Sequence, residues 1–211
     1  MPRFLYFAYG SNLLEERLAV RCPTARPLGL ASVAGRRLAF QAKSFDGSGK
    51  ATLIAGEETD VVHGRLYDID LGDRAALDRA EGADQDPPIY LRHDDFTVTR
   101  ADGTPLSGVS VYLAREDTAS LPPWDWYRAL IVAGGMQAGL PPGDVAALAV
   151  TPALPDVLPK RKSRLEALEV LQAAGFPELA RACASEDEAA EARPSLDEVA
   201  ERAVAEAIAL V

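Results

Sequence analysis

Phe4-Leu5-Tyr6-Phe7-Ala8-Tyr9-Gly10-Ser11-Asn12-Leu13 runs six apolar or aromatic residues into three turn formers, close to the start of the chain. An unbroken apolar run describes a strand buried on both faces, since a half-exposed strand alternates with polar residues. Leu13-Leu14-Glu15-Glu16-Arg17-Leu18 then takes up helical spacing. Gly10 has no Cβ and can adopt backbone angles closed to other residues, so a ligand can lie against the main chain there. Ser11 or Asn12 is placed to cap the following helix, whose first N–H groups point at whatever fills the turn. Strand, small-residue turn and helix start together describe a pocket for an anion or oxyanion. They also describe an ordinary strand–turn–helix corner.

The rest of the chain sets bounds on that pocket. At 211 residues it can bury a substantial core, as one domain or as a domain with an extension. With 48% hydrophobic and 26% charged residues it has the composition of a soluble globular protein. No apolar run is long enough to cross a bilayer and no basic segment precedes an apolar one at the N-terminus, so the expected location is the cytoplasm, with no membrane partner. A net charge of -10 argues against nucleic acid, which needs concentrated Lys and Arg. From Ser185 to Val211 eight carboxylates stand against Arg193 and Arg202, so this stretch carries much of the negative excess and reads as a solvated face. Cys22 and Cys183, far apart, read as reduced thiols. His63 and His93 read as strand surface or satisfied core, and the absence of ligand spacing among Cys, His and carboxylates leaves no metal expected.

Along the chain, Glu15 to Arg21 predicts a short helix ended by Pro23, and Leu28 to Ala42 one bent strand or two. Lys43-Ser-Phe-Asp-Gly47-Ser-Gly49-Lys50 is a glycine-containing loop but not a Walker loop, because Ser44 and Ala51 stand where Gly and Ser or Thr are needed. Strands follow at Ala51–Ile54 and Val61–Ile69, then a helix from Asp70 to Glu81 that Gly82 ends. Ile89–Arg100 and Leu106–Arg115 form a hairpin about Asp102-Gly103. A helix from Trp124 to about Gln137 places Tyr127, Leu130, Ile131, Gly134 and Ala138 on one side. Pro152, Pro155 and Pro159 mark a linker, dividing the chain into residues 1–154 and a helical extension, 155–211. There Ser163…Glu166 and Ser195…Glu198 have capping-box spacing, and the basic run Lys160 to Arg164 reads as a solvated helix start. Leu196, Val199, Ala200, Ala203, Val204, Ala207 and Ile208 form a stripe that must be buried on this chain or on a second copy.

The wording of three segments goes further. Phe7-Ala8-Tyr9-Gly10-Ser11-Asn12-Leu13 resembles the N-terminal signature of the γ-glutamylcyclotransferase family, related to the AIG2-like proteins. Val61-Val-His-Gly64-Arg-Leu66-Tyr67 resembles that family's V-x-G-x-(L/V)-Y strand. Leu77-Asp78-Arg79-Ala80-Glu81-Gly82, followed by a strand opening at Tyr90, resembles its catalytic segment. The resemblance spans about residues 3 to 150. It implies an α+β fold: a small mixed β-barrel with surrounding helices and a pocket at one end, here followed by the helical extension.

It also implies chemistry. A carboxylate in the last turn of a helix meets the negative end of the dipole, with Asp84 and Asp86 close in sequence, which suits a group that carries a proton at neutral pH. Glu81 is such a residue, although a surface Glu closing a helix looks the same. The resemblance gives Glu81 the acid/base role. Tyr6, Phe7, Ala8, Tyr9, Gly10, Ser11, Asn12 and Leu13 match its substrate-binding stretch, and Tyr90 and Tyr127 match tyrosines near its pocket. The implied reaction needs no cofactor: the α-amine of a γ-glutamyl compound attacks its own γ-carbonyl carbon, giving 5-oxoproline and an amino acid or amine. Removal of a γ-glutamyl protecting group from a biosynthetic intermediate is a related reaction. A non-catalytic AIG2-like module binding a small molecule or a protein is the alternative, against which retention of both the turn and Glu81 counts. The C-terminal helices either dock on their own chain or mediate a homodimer.

Overall fold

The N-terminal apolar run lies in β1 (Arg3–Ala8), and it is apolar from Phe4 onward because both faces of the strand are covered. Phe4, Tyr6 and Ala8 enter one hydrophobic cluster while Phe7 and Tyr9 enter another, the two-residue alternation of a strand between two cores. The computed structural model describes residues 1–115, 120–184 and 195–209. After β1 a single 3₁₀ turn, Ser11–Leu13, leads into α1 (Glu15–Arg21). The segment from Leu28 to Ala42 is two strands, β2 (Arg26–Ala34) and β3 (Arg36–Lys43). They are followed by β4 (Gly49–Ala55), β5 (Val61–Asp70), α2 (Arg74–Ala80), β6 (Tyr90–Arg100) and β7 (Pro105–Ala114).

Five strands close a barrel in the order β1-β5-β2-β6-β7, and β3 pairs with β4 as a separate hairpin. β1 runs antiparallel to β5, with Tyr6 opposite Tyr67, and parallel to β7, with Tyr6 opposite Ser110. The sheet is therefore mixed, and closure removes its free edges. The expected mixed β-barrel with helices around it is the fold observed.

Against the barrel lies α3 (Asp125–Ala138), buried from Asp125 to Gly135 on every side, the side that carries Tyr127, Leu130, Ile131 and Gly134 included. Its second side is covered by helices beyond the barrel: α4 (Pro142–Ala149), a segment to which the sequence reading gave no assignment, α5 (Lys162–Ala173), α6 (Pro177–Ala182) and α7 (Leu196–Ala209). Ala167, Leu171, Leu179, Cys183, Leu196 and Val199 join Leu130 and Ile131 in one cluster. The side chains of Ala200, Ala203, Val204, Ala207 and Ile208 lie outside the described residues.

Three local expectations are corrected. Ser163 does not cap α5, whose N-cap is Arg161 without a side-chain bond. The basic run before it is not simply solvated: Arg164 is buried and donates to the carbonyls of Pro159 (2.6 Å) and Cys183 (2.9 Å), while Arg161 meets Asp156 at 2.6 Å. Neither Ser11 nor Asn12 caps α1. The Glu15 N–H instead donates to Gln137 Oε1 of α3 at 2.9 Å. Ser195 and Glu198 do form a reciprocal capping box, at 3.0 and 3.1 Å.

Candidate active site

At one end of the barrel the turn after β1 faces the end of α2, and a cavity between them is lined by Tyr6, Tyr9, Gly10, Ser11, Asn12, Ala51, Glu81, Tyr90, Tyr112 and Tyr127. Each comes from a different constraint on the fold. Glu81 is the C-cap of α2, the residue just past Ala80, because Gly82, at φ +63°, turns the chain away. The Ala83 N–H returns to the Asp78 carbonyl and the Gly82 N–H to that of Arg79, a Schellman termination that fixes where the Glu81 side chain starts. Tyr6 projects from β1, and Tyr90 and Tyr112 from β6 and β7, toward the same space.

Gly10 serves the cavity by its missing side chain rather than by an unusual backbone angle, for its φ is -111°. A Cβ there would stand 3.4 Å from both the Ala51 Cβ and the Tyr127 hydroxyl, inside the cavity. The turn offers main-chain N–H groups at Ser11 and Asn12, which open the 3₁₀ turn and have no carbonyl within it to meet. The Leu13 N–H is taken by the Gly10 carbonyl at 2.9 Å and the Leu14 N–H by that of Ser11. Donors for a developing negative charge are thus those at the start of the turn.

Glu81 is mostly buried and its contacts are specific. Asn12 Nδ2 donates to Glu81 Oε1 at 2.7 Å and to the Tyr6 hydroxyl at 2.9 Å. Arg21 Nη1 lies 2.7 Å from Asn12 Oδ1 and 3.3 Å from Glu81 Oε1. The neighbours of Glu81 are therefore an amide and a cation, whereas Asp84 and Asp86, expected to crowd it, are exposed.

The tyrosines around the carboxylate stay protonated. Burial pushes the hydroxyls of Tyr6, Tyr9 and Tyr90 well above the ordinary range and that of Tyr127 up to about 12. Tyr112 is raised too, by burial and then by its bond to Asp78. None is a base at neutral pH, which leaves the Glu81 carboxylate as the side chain of the lining that can exchange a proton with a ligand. Tyr90 and Tyr127, expected to reach substrate, both bind the main chain of Ala51: the Tyr90 hydroxyl donates to its carbonyl at 2.7 Å, and the Tyr127 oxygen accepts its N–H at 3.1 Å. The Tyr127 proton stays available to a ligand. Behind it, the Lys50 ammonium sits 4.7 Å from the ring centres of both Tyr127 and Trp126 and pairs with Asp46 at 2.7 Å, fixing the wall.

Eight of the residues singled out in the sequence, Tyr6, Tyr9, Gly10, Ser11, Asn12, Glu81, Tyr90 and Tyr127, meet at this cavity. Phe7, Ala8 and Leu13 do not line it. Phe7 and Ala8 are fully buried in the two cores, and Leu13 packs beneath α3. Ala51 and Tyr112 line it without having been singled out, and Arg21 borders it unannounced. Only strand register places Tyr112, opposite Arg92 in β6, and no local pattern marks it.

The cavity holds about 30 Å³ of free space, room for about two waters. Larger hollows of about 500 and 260 Å³ lie beside α4, and the carboxylates of the latter, Asp60 and Asp144, are matched by Arg37 and His63. The smaller cavity is the one that joins a proton acceptor to main-chain donors.

Residues 6–128 match the family model described as "Gamma-glutamyl cyclotransferase, AIG2-like". The chain is 30% identical over 142 residues to gamma-glutamylcyclotransferase from Bos taurus, covering 65% of this chain and 73% of that protein, and 30% identical over the same length to the one from Homo sapiens. Among solved structures, one titled "Gamma-glutamyl cyclotransferase" superposes with a TM-score of 0.70 at 25% identity, over 82% of this chain and 99% of the other. A Homo sapiens protein titled as uncharacterized superposes equally well, at 27% identity over 83% and 99%.

Proposed function

The chain belongs to the gamma-glutamyl cyclotransferase, AIG2-like family, and from that premise we propose that it cyclises γ-glutamyl compounds to 5-oxoproline with Glu81 as the acid/base. The observation that carries this reading is a mostly buried carboxylate, held by Asn12, facing a turn whose N–H groups are open to a ligand. The substrate's α-amine attacks its γ-carbonyl carbon. A C–N bond forms and the carbonyl electrons move onto oxygen. Collapse of that oxyanion breaks the γ-amide C–N bond, and the leaving nitrogen departs with a proton. Glu81 takes a proton from the attacking amine and returns one to the leaving nitrogen. Ser11 and Asn12 N–H groups meet the oxyanion, a charge that preorganised donors stabilise strongly in a site shielded from water.

Because the nucleophile and the carbonyl belong to one molecule, holding it folded supplies much of the rate, up to about 7–11 kcal/mol in well-oriented cases. The glutamyl head exceeds the free volume of the cavity, so binding in this reading moves side chains of its wall. Residues 1–154 carry the reaction and the helices beyond support it from behind α3. The protein works as a soluble cytoplasmic enzyme without a cofactor.

The test is 5-oxoproline release from a panel of γ-glutamyl amino acids and amines, with Glu81→Gln beside the wild type. Loss of a positioned acid/base costs about 10²–10⁴-fold, so release by the wild type and a loss of that order in folded Glu81→Gln is the expected result. Equal rates in both proteins would remove Glu81 from the role, and an inert wild type across the panel would favour a binding module.

A further inference from the structure

Arg21 lies in the last turn of α1, 60 residues from Glu81, yet its guanidinium reaches both that carboxylate and Asn12. A guanidinium has donors only, whereas an Asn amide presents an acceptor on one side and two donors on the other. The contact at 2.7 Å therefore fixes which way the Asn12 amide faces: Oδ1 to Arg21, Nδ2 to Glu81 and Tyr6. Without Arg21 the amide loses the donor that holds Oδ1 and is anchored through Nδ2 alone. Glu81 is constrained as well. Oε1 has two donors, at 2.7 and 3.3 Å, and among the described hydrogen bonds Oε2 has none.

We propose that Arg21 is a positioning residue for the cyclisation, which locks the Asn12 amide and the Oε1 edge of Glu81 so that Oε2 is the atom that takes and returns the proton. The proposal rests on the cyclotransferase reading above. The fold gives Arg21 a short, rigid platform. Leu18 and Cys22, on either side of it, are fully buried in the cluster that also holds Tyr6 and Tyr112, so α1 cannot shift without disturbing the cavity wall. Arg21 does not line the cavity, and its action goes through Asn12 and Glu81 rather than through the substrate.

The experiment compares steady-state 5-oxoproline release by wild type, Arg21→Ala and Arg21→Lys, each checked for an unchanged thermal transition. The alanine variant is expected to lose about 10²-fold in kcat, the scale of a small misplacement of reacting groups, with KM little changed. Guanidinium ion at millimolar concentration is expected to restore part of that rate in Arg21→Ala and none in Glu81→Gln. The lysine variant keeps the charge without the fork and is expected to fall between the two; it also tests the proposal if Arg21→Ala does not fold. A folded Arg21→Ala with wild-type kcat, or one that changes KM alone, overturns the positioning role while the active wild type leaves the cyclotransferase reading standing. A wild type that releases nothing overturns both.

Discussion

Two sets of elements rest on α3, and they rest on it differently. On one side the turn after β1 approaches so closely that a Cβ on Gly134 would lie 2.5 Å from the Leu14 nitrogen and 2.6 Å from the Leu13 Cβ. On the other side α5, α6 and α7 pack through side chains such as Ala167, Leu171, Leu179 and Val199. The first contact is backbone against backbone and sets the position of Ser11 and Asn12. The second is burial of apolar area, which tolerates change of shape as long as volume is kept. One side of α3 places chemistry and the other supplies stability, so substitutions on the two sides should separate activity from folding.

The largest effect on stability is expected on the second side. Leu171 is fully buried in the cluster joining the C-terminal helices to α3. Leu171→Ala should cost about 2–5 kcal/mol, the range for large-to-small changes in a core. Denaturant unfolding measures it, and 5-oxoproline release per folded molecule should stay at the wild-type level. A rate that falls along with stability would show that these helices do position the site, and the division between the two sides would collapse.

Gly134→Ala probes the first side and should invert that pattern. Forcing a methyl group into a closed backbone contact costs about 1–3 kcal/mol, partly offset by the better helix propensity of alanine, worth about 1 kcal/mol. The net loss of stability is therefore smaller than for Leu171→Ala. The turn must give way, however, and the donors at Ser11 and Asn12 move with it, so the rate should fall by about 10²-fold. Wild-type turnover in Gly134→Ala would mean that the turn is not held in place by α3.

The same contrast separates what the sequence disclosed from what it hid. The strand, the turn and the helix end at Glu81-Gly82 were legible because each depends on neighbours in sequence, an apolar run, small residues and a glycine closing a helix, whereas the reading of the turn and Glu81 as a site came from the family resemblance. Arg21 was not, since a basic residue in a last turn looks like ordinary dipole complementation, and its partners are defined only when α1 folds beside α2. Tyr112 depends on β6–β7 register in the same way. The assignment of Ser11 or Asn12 as a cap failed because Asn12 is committed to Glu81 and Arg21, leaving Gln137 to meet the first N–H of α1. Burial of the other side of α3 was not legible because the helices that cover it are distant in sequence. α4 received no assignment, although Pro142 fits the first helical position.

The smallest expected effect lies farthest from the cavity, at the start of α7. The Ser195 hydroxyl accepts the Glu198 N–H at 3.1 Å and the Glu198 carboxylate accepts the Ser195 N–H at 3.0 Å. Leu196 and Val199 are buried beside this cap, and Arg128 of α3 meets Asp197 at 2.8 Å. Ser195→Ala removes the hydroxyl acceptor and should cost about 1 kcal/mol, the usual value of an N-cap. Because the buried pair and the Arg128–Asp197 contact remain, the loss should stay within the first turn of α7. It would show as faster amide hydrogen exchange there, with β1 and α2 unchanged and turnover intact. Faster exchange spreading to Glu81 and Gly82 would mean that α3 transmits strain from its stabilising side to its catalytic one, which packing through side chains alone should not do.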